Sequence, residues 1–209
     1  MLSFLKRLYY KAINLGIDEN VEYLEAIKIK MLNQQTIIVL ILVFYYFLQA
    51  IFVEQSDIFV SFAFFGLVGV LLVFNNYKLF IVARIYWTIF FPVLLVCVSY
   101  LYGEDLRMEY AFIHFILSIL IFFESIWTRI FVSFFVFIAF LASIWITENL
   151  ESPYAYAVYP FDKIMLFLFS GICTANIITV VFEGMKRNNV KLTNHEKELT
   201  IKNKELERF

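Results

Sequence analysis

Three ionisable residues lie inside or beside long apolar stretches of the sequence, namely Arg84, His114 and Glu124. Ionisable groups within a bilayer are costly to bury, so each is a candidate for a functional role. Arg84 lies about one and a half turns from the nearer end of its apolar stretch, close enough for the side chain to extend to the interface. It can alternatively form a switch pair with Glu124, which is expected on the same side of the membrane. Both interpretations are open.

His114 is the one histidine within the apolar part of the chain. A metal or haem site needs further ligands, and a second membrane histidine would have to come from another copy of the chain. The alternative is a hydrogen-bonded histidine that packs between helices. We expect neither a metal nor another cofactor in this chain.

No recognisable catalytic motif occurs in the sequence: there is no HExxH sequence, no P-loop and no nucleophile–histidine–aspartate set. The net charge of -1 gives no reason to expect a nucleic-acid partner. Cys97 and Cys173 both lie within apolar stretches, without the CxxC spacing of a metal or redox site, and are typical of small buried hydrophobic residues. The sequence therefore predicts no catalytic residue.

The elements that must position these residues are predicted to be membrane-spanning helices. Of the 209 residues 62% are hydrophobic and 17% are charged, against about 25% charged residues in soluble domains. A helix of about 20 apolar residues crosses a bilayer, and six apolar blocks approach or reach that length. They lie in the intervals 31–53, 57–78, 79–102, 110–123, 130–146 and 163–183. We expect an all-α membrane protein with six transmembrane helices, of which the fourth is the shortest.

The distribution of charge predicts how these helices are oriented. One set of flanking segments is basic: Lys6, Arg7, Lys11, Lys28, Lys30, Lys78, Arg84, Arg129, Lys186 and Arg187. The three alternate connections are mainly acidic: Glu54, Asp57, Glu104, Asp105, Arg107, Glu109, Glu148, Glu151, Asp162 and Lys163. Because basic residues are retained on the cytoplasmic side, we expect a multi-pass protein of the plasma (inner) membrane with both termini in the cytoplasm.

Two polar segments flank or connect the apolar blocks. Residues 1–31 form an amphipathic pattern, which indicates a cytoplasmic helix lying on the bilayer surface or a separate partner-binding module. The longest connection, 148–162, contains Tyr154, Tyr156 and Tyr159. These tyrosines are either an aromatic belt at headgroup depth or a lid over a ligand site.

The C-terminal part, residues 184–209, follows the six-span region 32–183 and carries a leucine repeat. Leu192, Leu199 and Leu206 recur at intervals of seven. Their companions are Asn189, Glu196 and Asn203 if leucine occupies heptad position d, or His195, Lys202 and Phe209 if it occupies a. The pattern predicts a short coiled coil between two copies of the chain, with a solvated single helix as the alternative.

The last eight residues, KNKELERF, resemble the segment that immediately precedes the phosphoacceptor-histidine helix of bacterial sensor histidine kinases. A six-span region joined to such a coil is similar to six-span membrane sensor kinases, including those that detect hydrophobic quorum signals. The resemblance implies a sensor region whose partners are a downstream kinase core and a response regulator. It does not extend to His195, because the residues that follow depart from the phosphoacceptor box.

Other functions remain alternatives at this stage. A nucleotide or diguanylate cyclase can use a similar six-span membrane anchor and coupling helix. A transporter or channel is disfavoured, because the middle of the apolar blocks is almost free of charge. An apolar or amphipathic small molecule entering from the bilayer is the stimulus that suits such an interior, and the state of the bilayer itself is the alternative.

Overall fold

The structure is a computed structural model that describes residues 2–52, 58–102, 111–151 and 160–206. All regular elements in these ranges are helices, so the predicted all-α class is confirmed. In chain order they are α1 (Leu2–Ile13), α2 (Tyr23–Phe52), α3 (Ile58–Asn76), α4 (Phe80–Ile85), a π-helical turn (Tyr86–Phe90), α5 (Phe91–Tyr102), α6 (Phe112–Phe122), α7 (Ile126–Asn149) and α8 (Pro160–Leu206).

Four helical stretches within the described residues are long and apolar enough to cross a membrane. They are Tyr23–Gln49, Phe80–Leu101, Ile126–Asn149 and Ile164–Lys186. Two further apolar stretches, Ser61–Asn76 and Phe112–Phe122, are shorter. These helices are those of a multi-pass membrane protein, and the full count of six spans stays a prediction.

The break between α6 and α7 explains why the fourth apolar block is short. Phe123 and Ser125 both have extended backbone angles, so α6 ends before Glu124 and α7 begins after it. At 1.5 Å per residue, the 11 residues of α6 cover only about 16 Å. The break places Glu124 on an exposed connection rather than inside a span.

The third apolar block forms one helical stretch, which a π-helical turn interrupts. Pro92 has no N–H to donate to the carbonyl of Thr88, and the turn at Tyr86–Phe90 lies directly before it. There the N–H of Phe91 donates to the carbonyl of Tyr86 instead, and π turns of this kind are common where a helix is locally disturbed.

The helices pack around an apolar core. α2 contacts α3 and α8, α5 contacts α7, and α6 contacts both α7 and α8. Trp87, Phe115 and Cys173 are fully buried in this core. Large apolar side chains such as Phe131 and Phe134 of α7 remain exposed, as expected where the surrounding solvent is lipid.

Candidate functional site: an ion-pair network at one end of the bundle

Charged side chains from three separate parts of the chain meet at one end of the helical bundle. Arg84 of α4 forms an ion pair with Glu25 of α2. Lys28, on the next turn of α2, places its Nζ 2.7 Å from Oε1 of Glu124 and 3.8 Å from Oε2 of Glu25. We call Glu25, Lys28, Arg84 and Glu124 the ion-pair network. It connects the start of α2 to α4, the first part of the Phe80–Leu101 stretch, and to the α6–α7 break.

The two cations of the network are far more buried than the two carboxylates. The side chains of Arg84 and Lys28 are 8% and 9% exposed, against 28% for Glu25 and 84% for Glu124. A buried cation is costly unless a carboxylate compensates it. Glu25 approaches both cations, so it holds the centre of the network.

Glu124 is the solvent-facing end of the network. The hydrogen bond from the Lys28 ammonium and the positive charge of that group hold the pKa of Glu124 below its usual value, and Arg84 and Arg129 act in the same direction. The carboxylate is therefore ionised at neutral pH and stays ionised to lower pH than an isolated glutamate. Its contribution to stability is lost only as the pH falls through the lowered pKa.

The sequence proposed Glu124 as a direct partner of Arg84, and the structure joins the two through other residues. Arg84 pairs with Glu25, whereas Glu124 pairs with Lys28. The physical reason is the i, i+3 spacing of Glu25 and Lys28, which places an anion and a cation on one face of α2, between the two predicted residues.

A buried pair of asparagines lies nearby and attaches the N-terminal region to the bundle. Nδ2 of Asn33 donates to the carbonyls of Ile13 at 3.2 Å and Leu15 at 3.0 Å. Nδ2 of Asn75 donates to Oδ1 of Asn33 at 2.7 Å. The end of α1 and the end of α3 are thereby fixed to the same point of α2.

Gly16 makes this attachment possible. Its φ is +83°, a left-handed conformation that favours glycine. A Cβ at this position would lie 2.1 Å from the carbonyl oxygen of Asn75. The turn after α1 can therefore contact the end of α3 only without a side chain.

An exposed ion pair joins the same two regions, the segment after α1 and the end of α3. Lys78 pairs with Asp18, and its hydrogen bond is the largest cause that lowers the pKa of Asp18. Lys78 itself has a φ of +60°. The N–H of Leu79 donates to the carbonyl of Phe74 at 2.9 Å, which closes the end of α3.

His114 packs among aromatic rings in the core of the bundle. Its ring centroid lies 4.2 Å from that of Phe115, 5.8 Å from Phe169 and 6.0 Å from Trp87. Neither ring nitrogen of His114, nor Nε1 of Trp87, has a hydrogen-bond partner among the described residues. His114 therefore packs between helices, as one of the two interpretations of the sequence predicted. The hydrogen bond that this interpretation included is not seen among the described residues.

No group of three or more histidine, cysteine, aspartate or glutamate residues in the described ranges is arranged to hold a metal ion. His114 instead lies one turn from a polar contact between two helices. Nε2 of Gln35 donates to Oγ of Ser118 at 3.3 Å, and Ser118 Oγ donates to the carbonyl of His114 at 2.7 Å. Hydrogen bonds of this kind are typical of contacts between membrane helices.

The remaining predicted residues lie in or near the C-terminal third of the chain. Tyr154, Tyr156 and Tyr159 fall outside the described residues. Leu192 and Leu199 are exposed on α8, and Leu206 is the last residue of that helix. The leucine repeat is therefore carried on the same helix as the last apolar block, while its pairing with a second copy stays a prediction.

Glu25 and Lys28 were not identified as site residues from the sequence, which assigned them to the amphipathic N-terminal segment. The available signal was an opposite-charge pair at i, i+3 directly before an apolar block.

Comparisons of the chain with protein-family models, with curated proteins and with solved structures find no match. The function is therefore argued from the geometry and from the C-terminal sequence.

Proposed function

We propose that this chain is the membrane-embedded input region of a bacterial sensor histidine kinase, with six transmembrane helices and both termini in the cytoplasm. The observation that carries the proposal is α8. This single helix of 47 residues includes the apolar stretch Ile164–Lys186 and continues without a break into a charged, leucine-bearing segment. At 1.5 Å per residue, this helix is about 70 Å long. It forms a direct mechanical connection between the membrane and the proposed cytoplasmic domain.

The packing of α8 indicates how a stimulus reaches it. Within the bundle α8 contacts α2 and α6, and these two helices are joined to each other by Gln35 and Ser118. Their ends meet again in the ion-pair network, where Lys28 of α2 bonds Glu124 next to α6. A change in the packing of α2 and α6 therefore shifts α8, and the shift is passed along the helix axis.

The proposed stimulus is an apolar or amphipathic small molecule that enters from the bilayer, because the described interior of the bundle is predominantly apolar and aromatic. A ligand moves an equilibrium only by its differential affinity for the two states, and a shift from 1:99 to 99:1 takes about 5.5 kcal/mol. A single apolar ligand is therefore expected to shift the two states only in part. The partners proposed are the lipid bilayer, a second copy of the chain, a kinase core and its response regulator.

A cyclase anchor is the second candidate, since it would use the same continuous helix. The reading frame beyond Phe209 discriminates between the two. A histidine box followed by a nucleotide-binding domain supports the kinase assignment. A cyclase domain contradicts the kinase assignment but leaves the proposed role of this chain as a membrane input region standing.

The proposed topology is tested with reporter fusions to the full chain. Reporters at both termini should read as cytoplasmic, and a tag within the 148–162 connection should be reachable from outside intact cells. A C-terminal reporter that is active only on the outer side would contradict six spans and remove the proposed route to a cytoplasmic kinase.

A further inference from the structure

The first helix, α1, has an apolar half and a basic half. At about 100° per residue, its side chains divide into two arcs on opposite sides of the helix. The apolar arc carries Phe4, Leu5, Leu8, Tyr9, Ala12 and Ile13, and the polar arc carries Ser3, Lys6, Arg7, Tyr10 and Lys11. The charged residues of α1 are all basic and all lie on the polar arc. This pattern is typical of a helix that lies in the interface of a membrane.

The helical bundle covers almost none of the apolar arc. Every residue from Ser3 to Lys11 is exposed. The large apolar side chains on this arc, Phe4, Leu5, Leu8 and Tyr9, are between 44% and 63% exposed. Among the described side chains of α1, only that of Ile13 is buried. The helix therefore presents a continuous apolar surface that the described bundle leaves open.

The attachment of α1 fixes the depth at which this surface lies. Asn33, which binds the end of α1, belongs to the membrane stretch Tyr23–Gln49. Asn75, the donor to Asn33, lies at the end of the apolar stretch Ser61–Asn76. The next stretch, Phe80–Leu101, begins shortly afterwards. Since one apolar stretch ends and the next begins at this point, α1 leaves the bundle at the boundary of the bilayer.

The charge of α1 selects the kind of surface that fits it. Lys6, Arg7 and Lys11 have no ion-pair partner among the described residues, and α1 contains no acidic residue. At the boundary of a bilayer, anionic lipid headgroups supply the missing negative charge. The acyl chains directly beneath those headgroups cover the apolar arc. One surface thus matches both arcs at the depth where α1 is held.

We propose that α1 binds anionic phospholipids in the leaflet at this end of the bundle. The apolar arc inserts among the acyl chains, and Lys6, Arg7 and Lys11 contact the headgroup phosphates. This selects the bilayer-surface interpretation of α1 over the partner-binding module and adds a lipid class to it. Because α1 is fixed to α2 and α3 through Asn33 and Asn75, lipid binding also holds the ends of those helices at the interface.

Spin labelling of the full chain in lipid nanodiscs tests the proposal. The background carries Cys97→Ser and Cys173→Ala, and one label is attached through Leu8→Cys. Tyr10→Cys is the matched control, because Leu8 and Tyr10 are 49% and 52% exposed but lie on opposite arcs of the same helix. The nanodiscs contain phosphatidylcholine alone or a mixture of phosphatidylcholine and phosphatidylglycerol. Collisions of the label with oxygen, which is enriched in the bilayer, and with a water-soluble nickel complex measure its depth.

In the anionic nanodiscs, the label at position 8 should collide mainly with oxygen and the label at position 10 mainly with the nickel complex. The combined change Lys6→Gln, Arg7→Gln and Lys11→Gln should then move the label at position 8 towards water. At about fivefold per basic residue, the ratio of docked to undocked α1 should fall by about a hundredfold. In phosphatidylcholine alone, the same change should have little effect.

Three other results would each overturn the proposal. Equal depth at positions 8 and 10 would show that the apolar arc does not enter the bilayer. Protection of position 8 from both reagents would show that protein covers it instead. A label at position 8 that is equally deep in both nanodiscs and indifferent to the glutamine changes would exclude recognition of anionic lipid. All three results leave the proposed sensor role standing, because that role depends on α8.

Discussion

Glu25 is the residue on which the ion-pair network is expected to depend most. The substitution Glu25→Gln keeps the shape of the side chain but removes the charge that compensates Arg84 and approaches Lys28. Both cations are more than nine-tenths buried and cannot regain full hydration. Lys28 keeps its bond to Glu124, so Arg84 bears most of the loss.

The magnitude follows from the burial of the three side chains. Removing one partner of a fully buried ion pair costs about 3–5 kcal/mol. Glu25 is 28% exposed, so water replaces part of what is lost, and we expect Glu25→Gln to lower the free energy of unfolding by about 2–3 kcal/mol. Glu22→Gln is the matched control, because Glu22 is exposed one turn earlier, and a surface change of this kind is expected within about 0.5 kcal/mol.

Denaturant unfolding of the purified chain in lipid nanodiscs, followed by circular dichroism, measures both variants. A double-mutant cycle with Arg84→Met then isolates the pair: once the cation is gone, Glu25→Gln should cost much less than it does in the wild-type protein. An effect of Glu25→Gln no larger than that of Glu22→Gln, or simple additivity with Arg84→Met, would refute the assignment of Glu25 as the central anion.

The other contacts at this end of the bundle give three further predictions. Gly16→Ala should destabilise the protein by more than about 1–3 kcal/mol, the usual cost of a strained backbone, because the added Cβ also meets the Asn75 carbonyl. Gly69→Ala is the control: its added Cβ meets nothing within 4 Å, and the free energy of unfolding should be nearly unchanged in the same assay. Asn75→Ala should lower the free energy of unfolding by about 1–3 kcal/mol, because the buried amide oxygen of Asn33 loses its donor. Asn76→Ala is the control, because Asn76 is exposed, and it should not have this effect. Equal losses in the two variants would contradict the asparagine attachment. The folded-state pKa of Glu124 is lowered, so its contribution to the free energy of unfolding is complete above the ordinary value of 4.5 and is lost as the pH falls through the lowered pKa. Glu124→Gln should therefore flatten the decline of stability in that acid range. An unchanged pH profile would count against the Lys28–Glu124 pair.

Much of the architecture was predictable because it depends on local composition. Blocks of about 20 apolar residues specify helices that cross a bilayer, and the described ranges are helical where such blocks occur. The short fourth block was also visible, since Glu124 interrupts the apolar run and the helix ends at Phe122. The unbroken α8 agrees with a sequence that has no proline after Pro160 and in which glycine occurs only at Gly171 and Gly184.

The contacts of the candidate site were less predictable because they join residues distant in the sequence. Arg84 and Glu124 were identified by their unusual surroundings, but the residues that bond them, Glu25 and Lys28, lie 59 and 96 positions away. Nothing local distinguishes a carboxylate that will meet such a cation from one that faces water. The surroundings of His114 depend in the same way on Trp87 and Phe169, which come from other helices.

Direct transmission through α8 is tested most directly by changing its helical phase. The full chain is fused at Phe209 to a histidine kinase core, and one to seven alanines are inserted after Met185, at the end of the membrane stretch Ile164–Lys186 and before the leucine repeat. Each added residue turns the leucine repeat by about 100° relative to the membrane stretch, and seven residues nearly restore the original register of the repeat. Kinase autophosphorylation should therefore vary with a helical period and return towards the starting value at seven insertions, whereas output that is indifferent to insertions of one to seven residues would contradict the account.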